Sequence, residues 1–225
     1  MDETRVELDM TNNITIDIRG VKFVPIQNTN SENKAYSVVL SVLEDGTKFP
    51  PLIIFNGVGK NIGPTLKTTS SKFTFSGNKT SAYQNGSTFK FWFDDVWDES
   101  LDQSVKTNCL LLMDSCGTLH KSYCPEGTNT MFFPPNTTSK LQPLDLAINH
   151  PFKLRLRAFW EEWISIELAN DYTNSGYRRQ VPRQTFIEWV EAAWAEISEE
   201  TIINSFSFIR NKLDSIFNQF EIIQN

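Results

Sequence analysis

Asp114 closes a wholly apolar run, residues 109–113 (CLLLM), and Asp145 stands 31 positions later in the stretch QPLD. Such a run bounded by polar residues reads as a strand buried on both faces. An acid at its end is costly unless something pairs with it. In an open α/β sheet, ligands gather beyond the strand ends. Carboxylates converging there would repel one another, and a divalent cation relieves the repulsion. Hard oxygen donors suit Mg²⁺ or Mn²⁺. The same two acids could instead cap helices, Asp114 the next one and Asp145 its own. Cys116, His120 and Cys124 fall at i, i+4 and i+8, but they offer only three ligands, and Gly117 and Pro125 break any helix there.

Charge is segregated along the chain. Residues 46–93 hold six lysines (48, 60, 67, 72, 79 and 90) and no acid, whereas residues 94–102 hold five acids and no base. Residues 184–225 hold two bases and seven acids. The net charge of −6 argues against a general nucleic-acid binder. The average nevertheless hides one basic segment that could follow a phosphate backbone, with a solvated loop as the alternative.

The elements that must position these residues begin with β structure. Residues 13–20 (NITIDIRG) alternate with period 2, residues 21–26 form a second apolar run, and residues 36–43 (YSVVLSVL) read as a buried strand. Asp45-Gly46 marks a turn, residues 52–55 a short strand, and residues 72–75 a weak one inside a loop-rich stretch. Phe89, Trp92, Phe93, Val96 and Trp97 make one stripe of a helix over 88–101, with Ser87 or Thr88 as its N-cap. Residues 130–133 (TMFF) are a further strand. Pro143 opens a helix towards Trp163, which Pro151 restarts or kinks. Residues 184–197 and 199–218 are two more helices, and Trp160, Trp163, Trp189 and Trp194 belong to the core. Asn149 and Lys153 lie four and eight residues beyond Asp145; on one helix face they could meet a DNA phosphate, the alternative being a capping Asn and a solvated Lys. Arg155 and Arg157 snorkel around the same helix.

The chain has 225 residues, of which 40% are hydrophobic, enough to bury a real core. No apolar run reaches the ~18 residues of a membrane span, and the start MDETRVELDM is acidic rather than leader-like. Three cysteines without a C-x-x-C fit a reducing compartment.

Several blocks resemble the pogo/Tigger branch of DDE transposases, in the mariner superfamily. LLMDSC followed by His120 resembles that family's D-N/S-x-x-x-H block, and residues 132–163 (FFPPNTTSKLQPLDLAINHPFKLRLRAFWEEW) resemble its Q-P-L-D-x-x-x-N-x-P-F-K signature. MDET (1–4), EDGTKFPPLIIF (44–55) and WVEAAWAEISEETIINSF (189–206) resemble further blocks in collinear order. The 30 residues between Asp114 and Asp145 match the pogo spacing.

The resemblance implies an α/β, RNase H-like fold: a mixed central sheet flanked by helices, with a helical C-terminal third. It implies one catalytic domain over 1–225, its first strand cut short at the N-terminus and no helix-turn-helix domain ahead of it. Asp2, Asp114 and Asp145 would be the catalytic and metal-binding triad; Asp9 is then a surface or turn acid. The chemistry implied is Mg²⁺- or Mn²⁺-dependent phosphodiester hydrolysis at transposon ends, then attack of the freed 3′-hydroxyl on target DNA. Lys60, Lys67, Lys72, Lys79, Asn149 and Lys153 are the expected DNA contacts. The expected setting is the nucleus, with DNA as partner, no membrane, and a homo-oligomer on DNA. The alternative is a domesticated or truncated derivative that binds DNA or protein without cutting.

Overall fold

A computed structural model describes residues 1–10, 19, 34–57, 66–77, 82–114, 129–166, 174 and 180–223. The strands expected over 13–20 and 21–26 lie outside these residues, apart from Arg19.

The described chain is mixed α/β. A four-stranded sheet, ordered β1-β2-β3-β4, is built from β1 (Asp2–Glu7), β2 (Ala35–Leu40), β3 (Leu52–Phe55) and β4 (Lys72–Phe75). The β1/β2 and β2/β3 pairs are antiparallel and β3/β4 is parallel. All four residues of β3 (LIIF) are completely buried, as expected for a wholly apolar strand between two neighbours. The Asp-Gly signal turns the chain between β2 and β3. Thr47 N–H donates to Asp45 Oδ1 (2.8 Å), and Gly46 takes a φ of 98°. A side chain on Gly46 would also stand 3.0 Å from Glu199 Cβ, so the position needs glycine twice over.

A second, two-stranded parallel sheet pairs β5 (Leu110–Met113) with β6 (Asn129–Phe132). The apolar run before Asp114 is therefore a strand, but it is not buried on both faces. Leu110 is 52% exposed while Leu111 and Met113 are buried, because this small sheet packs against the core on one side only.

Helix α1 (Gly86–Trp92) runs through a π-helical turn (Phe93–Trp97) into α2 (Asp98–Ser100), followed by α3 (Gln103–Asn108). Its N-cap is Asn85, not Ser87 or Thr88. Asn85 Oδ1 accepts from the backbone N–H of both, and Thr88 Oγ1 accepts from Asn85 N–H, a reciprocal capping box. Phe89, Trp92, Phe93 and Trp97 cluster beneath it, as their spacing requires.

After α4 (Thr138–Leu141), a π-helical turn (Leu144–Ile148) leads directly into α5 (Asn149–Ile166). Pro151 does not break this helix; the loosened turn just ahead of it accommodates the missing N–H. Helices α6 (Arg183–Ala195) and α7 (Glu199–Ile223) complete the helical C-terminal third. Trp160 and Trp194 are buried; Trp163 and Trp189 are half-buried at the α5/α6 contact, 6.3 Å apart. Among the described residues no helix is long and apolar enough to cross a membrane.

One cation ties the sheet to α6. Lys48 Nζ donates to the carbonyls of Trp194 (2.9 Å), Ala195 (3.2 Å) and Ile197 (2.7 Å), where the helix dipole is negative. Trp194 Nε1 donates back to Phe49 O at 2.9 Å. Lys48→Met leaves those carbonyls without their charged donor and should destabilise the fold by about 1–3 kcal/mol. Urea unfolding checks this; a change below ~0.5 kcal/mol would show that solvent replaces the ammonium.

Candidate active site

Three distant parts of the chain meet at Asp2. The first is β1, on which Asp2, Thr4 and Val6 point inward. The second is the π turn, which carries Asp145 and ends at Asn149. The buried Asn149 amide lies between the two acids: Nδ2 donates to Asp2 Oδ2 at 2.6 Å and to Asp145 Oδ1 at 3.0 Å. The third is β5. Met1 nitrogen donates to Leu112 O (2.8 Å), and Asp114, two residues on, lines a pocket of about 200 Å³ together with Met1, Asp2 and Glu3.

The charges are felt across this pocket. Burial, then the Asp145 charge, pushes the Asp2 carboxyl up to about 6; Asp114 adds to the rise, against the Asn149 hydrogen bond and the terminal amine. Burial lowers the Met1 amine to about 6, against the pull of Asp2 and Asp114. Burial also raises Glu3, which accepts from Gln84 N–H and feels Asp114. So Asp2, Asp114 and Asp145 share one electrostatic site. Among the described residues, however, no group of three or more His, Cys, Asp or Glu is gathered closely enough to hold a metal ion as placed.

The remaining expected site residues fare differently. Asn149 is not directed at a phosphate: it is buried with both amide hydrogens on carboxylates, because the i, i+4 spacing puts it over Asp145 and beside β1. Lys72 pairs with Glu99 at 2.6 Å. Lys67 is exposed, its backbone N–H held by Gln184 Oε1 at 2.9 Å. Lys60 and Lys79 lie outside the described residues, as do Cys116, His120 and Cys124. Of the other lysines in the basic segment, Lys48 caps α6 and Lys90 pairs with Asp94. Two of the six lysines, Lys72 and Lys90, are thus matched by acids of the 94–102 run. Lys153 is exposed and lines an open groove with Arg5, His150 and Arg157. Asp9 is buried rather than a surface acid. Arg155 pairs with Glu196 and covers Phe159, and Arg157 Nε donates to Met10 O. Glu3, Arg5, Tyr83 and Gln84 were not legible as site residues; the one local signal was the charged strand start DETR beside Asp2.

Residues 33–206 match the family described as DDE superfamily endonuclease. The chain belongs to that family. This DDE endonuclease domain is similar to the human protein "Pogo transposable element with KRAB domain", 29% identical over 216 residues, which cover 91% of this chain and 34% of that relative. The mouse protein of the same name is 27% identical over the same shares. The pogo-type resemblance read from the sequence is borne out. The DDE domain spans about a third of the length of these curated relatives. No solved structure matches it.

The raised Asp2 carboxyl has a signed consequence. Because its folded value, about 6, exceeds the ordinary 3.8, its contribution to stability is full below about pH 4 and is lost as pH rises through 6. In metal-free buffer Asp2→Asn should therefore be more stable than wild type at pH 7.5, by about 1–3 kcal/mol, and gain nothing near pH 4. Paired denaturant titrations check this; a variant no more stable at pH 7.5 would show that neither burial nor the neighbouring acids penalise the Asp2 charge. Asn149→Leu removes the shared donor and should cost about 2–4 kcal/mol at pH 7.5.

Proposed function

We propose that this chain is the catalytic domain of a DNA-cutting and DNA-joining enzyme of the pogo type. In this reading it is one RNase H-like domain over 1–225, in which Asp2, Asp114 and Asp145 carry Mg²⁺ or Mn²⁺. The observation that carries the reading is the single Asn149 amide shared by an acid from residue 2 and an acid from residue 145, with Asp114 facing the same pocket.

The donor set fits a hard cation. Carboxylate oxygens surround the place, and Asn149 Oδ1 is buried without a partner, so a half-turn of that amide would present an acceptor where a donor now stands. When bound, the divalent ion would supply charge neutralisation and an activated water for in-line displacement at phosphorus. Asp2, Asp114 and Asp145 would hold it, Asn149 sets the separation of Asp2 and Asp145, and the burial of Asp2 on β1 keeps that carboxylate from swinging into solvent.

The strand arrangement supports the RNase H-like reading. An antiparallel β1-β2-β3 meander meets β5 at the start of β1, through Met1 N and Leu112 O. Between residues 41–43 and 110–112 lies a cavity of about 420 Å³. Ser41 Oγ, Trp92 Nε1 and Gln142 Oε1 line it, all buried and without partners. DNA is then the substrate, the nucleus the place of action, and a homo-oligomer on DNA the working form. A second reading, a derivative that binds DNA or protein without cutting, is favoured by one observation: no three ligand side chains among the described residues enclose a cation as placed.

Nicking of supercoiled plasmid in Mg²⁺ or Mn²⁺ decides between the readings. The 225-residue chain should nick the plasmid in either ion and not in EDTA. Asp114→Asn and Asp145→Asn should each lower the rate at least ~100-fold. No nicking by the chain would favour the second reading, and full nicking by either variant would remove that acid from the site.

A further inference from the structure

Arg5 stands where two concavities meet. One is the acid pocket of about 200 Å³ that holds Asp2, Glu3 and Asp114. The other is an open groove of about 420 Å³ between β1 and the first half of α5, lined by His150, Lys153 and Arg157, with Glu7 as the acid in its lining. Arg5 lines both. Its guanidinium is not loose: Nη1 donates to Tyr83 Oη at 2.8 Å, so it is held at the pocket's mouth with its other donors facing outward.

The neighbouring residue adds an independent observation. Gln84 is fixed by its backbone, whose N–H donates to both carboxylate oxygens of Glu3 at 3.2 Å. Both polar atoms of its side-chain amide are shut off from solvent and have no partner. A buried amide is ordinarily satisfied, and one left open beside a pocket marks a position that something else completes.

A phosphodiester entering the acid pocket meets negative charge on the side of Asp2, Glu3 and Asp114. Among the described residues lining that pocket, Arg5 is the only cationic side chain. Arginine's planar donors suit a phosphate better than any other side chain's. We propose that Arg5, oriented by Tyr83, grips a backbone phosphate of the DNA strand, and that the unpartnered Gln84 amide turns into the acid pocket to hydrogen-bond the nucleotide there. The strand then leaves along the groove past Lys153. This rests on the DNA-cutting reading above and assigns the strand's path within it.

The test is binding without turnover: fluorescence anisotropy of a short labelled single-stranded oligodeoxynucleotide, in Ca²⁺ buffer, across a salt series. Arg5→Gln should lower the slope of log K against log salt by about 0.7, one phosphate contact on a single strand. Arg5→Lys keeps the charge and should keep the slope, which separates a lost contact from a lost fold. Gln84→Ala should weaken binding about 3–10-fold with the slope unchanged, the mark of an uncharged hydrogen bond. Tyr83→Phe should weaken it less, about 2–5-fold, and Lys212→Gln, on α7, should change nothing. Wild-type binding that is indifferent to both Arg5→Gln and Gln84→Ala overturns this inference and leaves the DNA-cutting reading standing. Absence of any oligonucleotide binding by wild type overturns both.

Discussion

Asp2 and Asp145 are held side by side by the two hydrogens of one amide, and burial already disfavours the charge on Asp2. Without Asn149 the two carboxylates would have nothing between them but their repulsion, and Asp2 is pushed up towards 6 even with that help. The surrounding structure can be read as the frame for this contact. β1 must be anchored on β2 so that its first inward residue is Asp2. Asn149 must follow Asp145 by four residues so that both fall on the same side of the helix. β5 must lie against Met1 so that Asp114 faces the same pocket.

The frame is stiff where it carries this contact. α5 enters the core directly after Asn149 through Phe152, Leu156 and Trp160, all buried. Phe152 meets Trp194 edge-on at 6.3 Å, and Trp194 in turn is fastened to the β2–β3 connection by Phe49 O and by Lys48. A lysine that reads as a surface cation in sequence thus belongs to the support of the acid site, two packing layers away. Glu191 does similar work on the other side of α6. Its carboxylate gathers the backbone N–H groups of Thr69, Ser70 and Ser71 ahead of β4; these bonds outweigh burial and hold it below the ordinary glutamate range.

Elements with a clean pattern were legible in the sequence. The four-residue strand LIIF, the stripe from Phe89 to Trp97 and the two C-terminal helices follow from apolar pattern and period, and the strand 72–75 gave a weaker signal. So did the spacing of Asn149 on Asp145. What a local pattern cannot encode is the partner across the fold. Asn149 read as a phosphate contact because its partner Asp2 lies 147 residues away. Lys48 and Lys72 read as part of one basic track because their partners, the carbonyls at the end of α6 and Glu99, lie outside that segment. Asp9 read as a surface acid because nothing near it in sequence announces burial. The one-sided exposure of β5 was hidden for the opposite reason: CLLLM is apolar at every position, so it carries no alternation from which to read a face.

The central claim is that acids from β1, β5 and the π turn act on one ion. Mn²⁺ affinity, measured by paramagnetic relaxation in wild type, Asp114→Asn, Asp145→Asn and the double variant, tests it as a thermodynamic cycle. If the two acids share the ion, each single variant loses most of the affinity and the double variant loses little more, a coupling of more than ~1 kcal/mol. Additive losses, or unchanged affinity in the double variant, would mean that the carboxylates are neighbours without a common ligand.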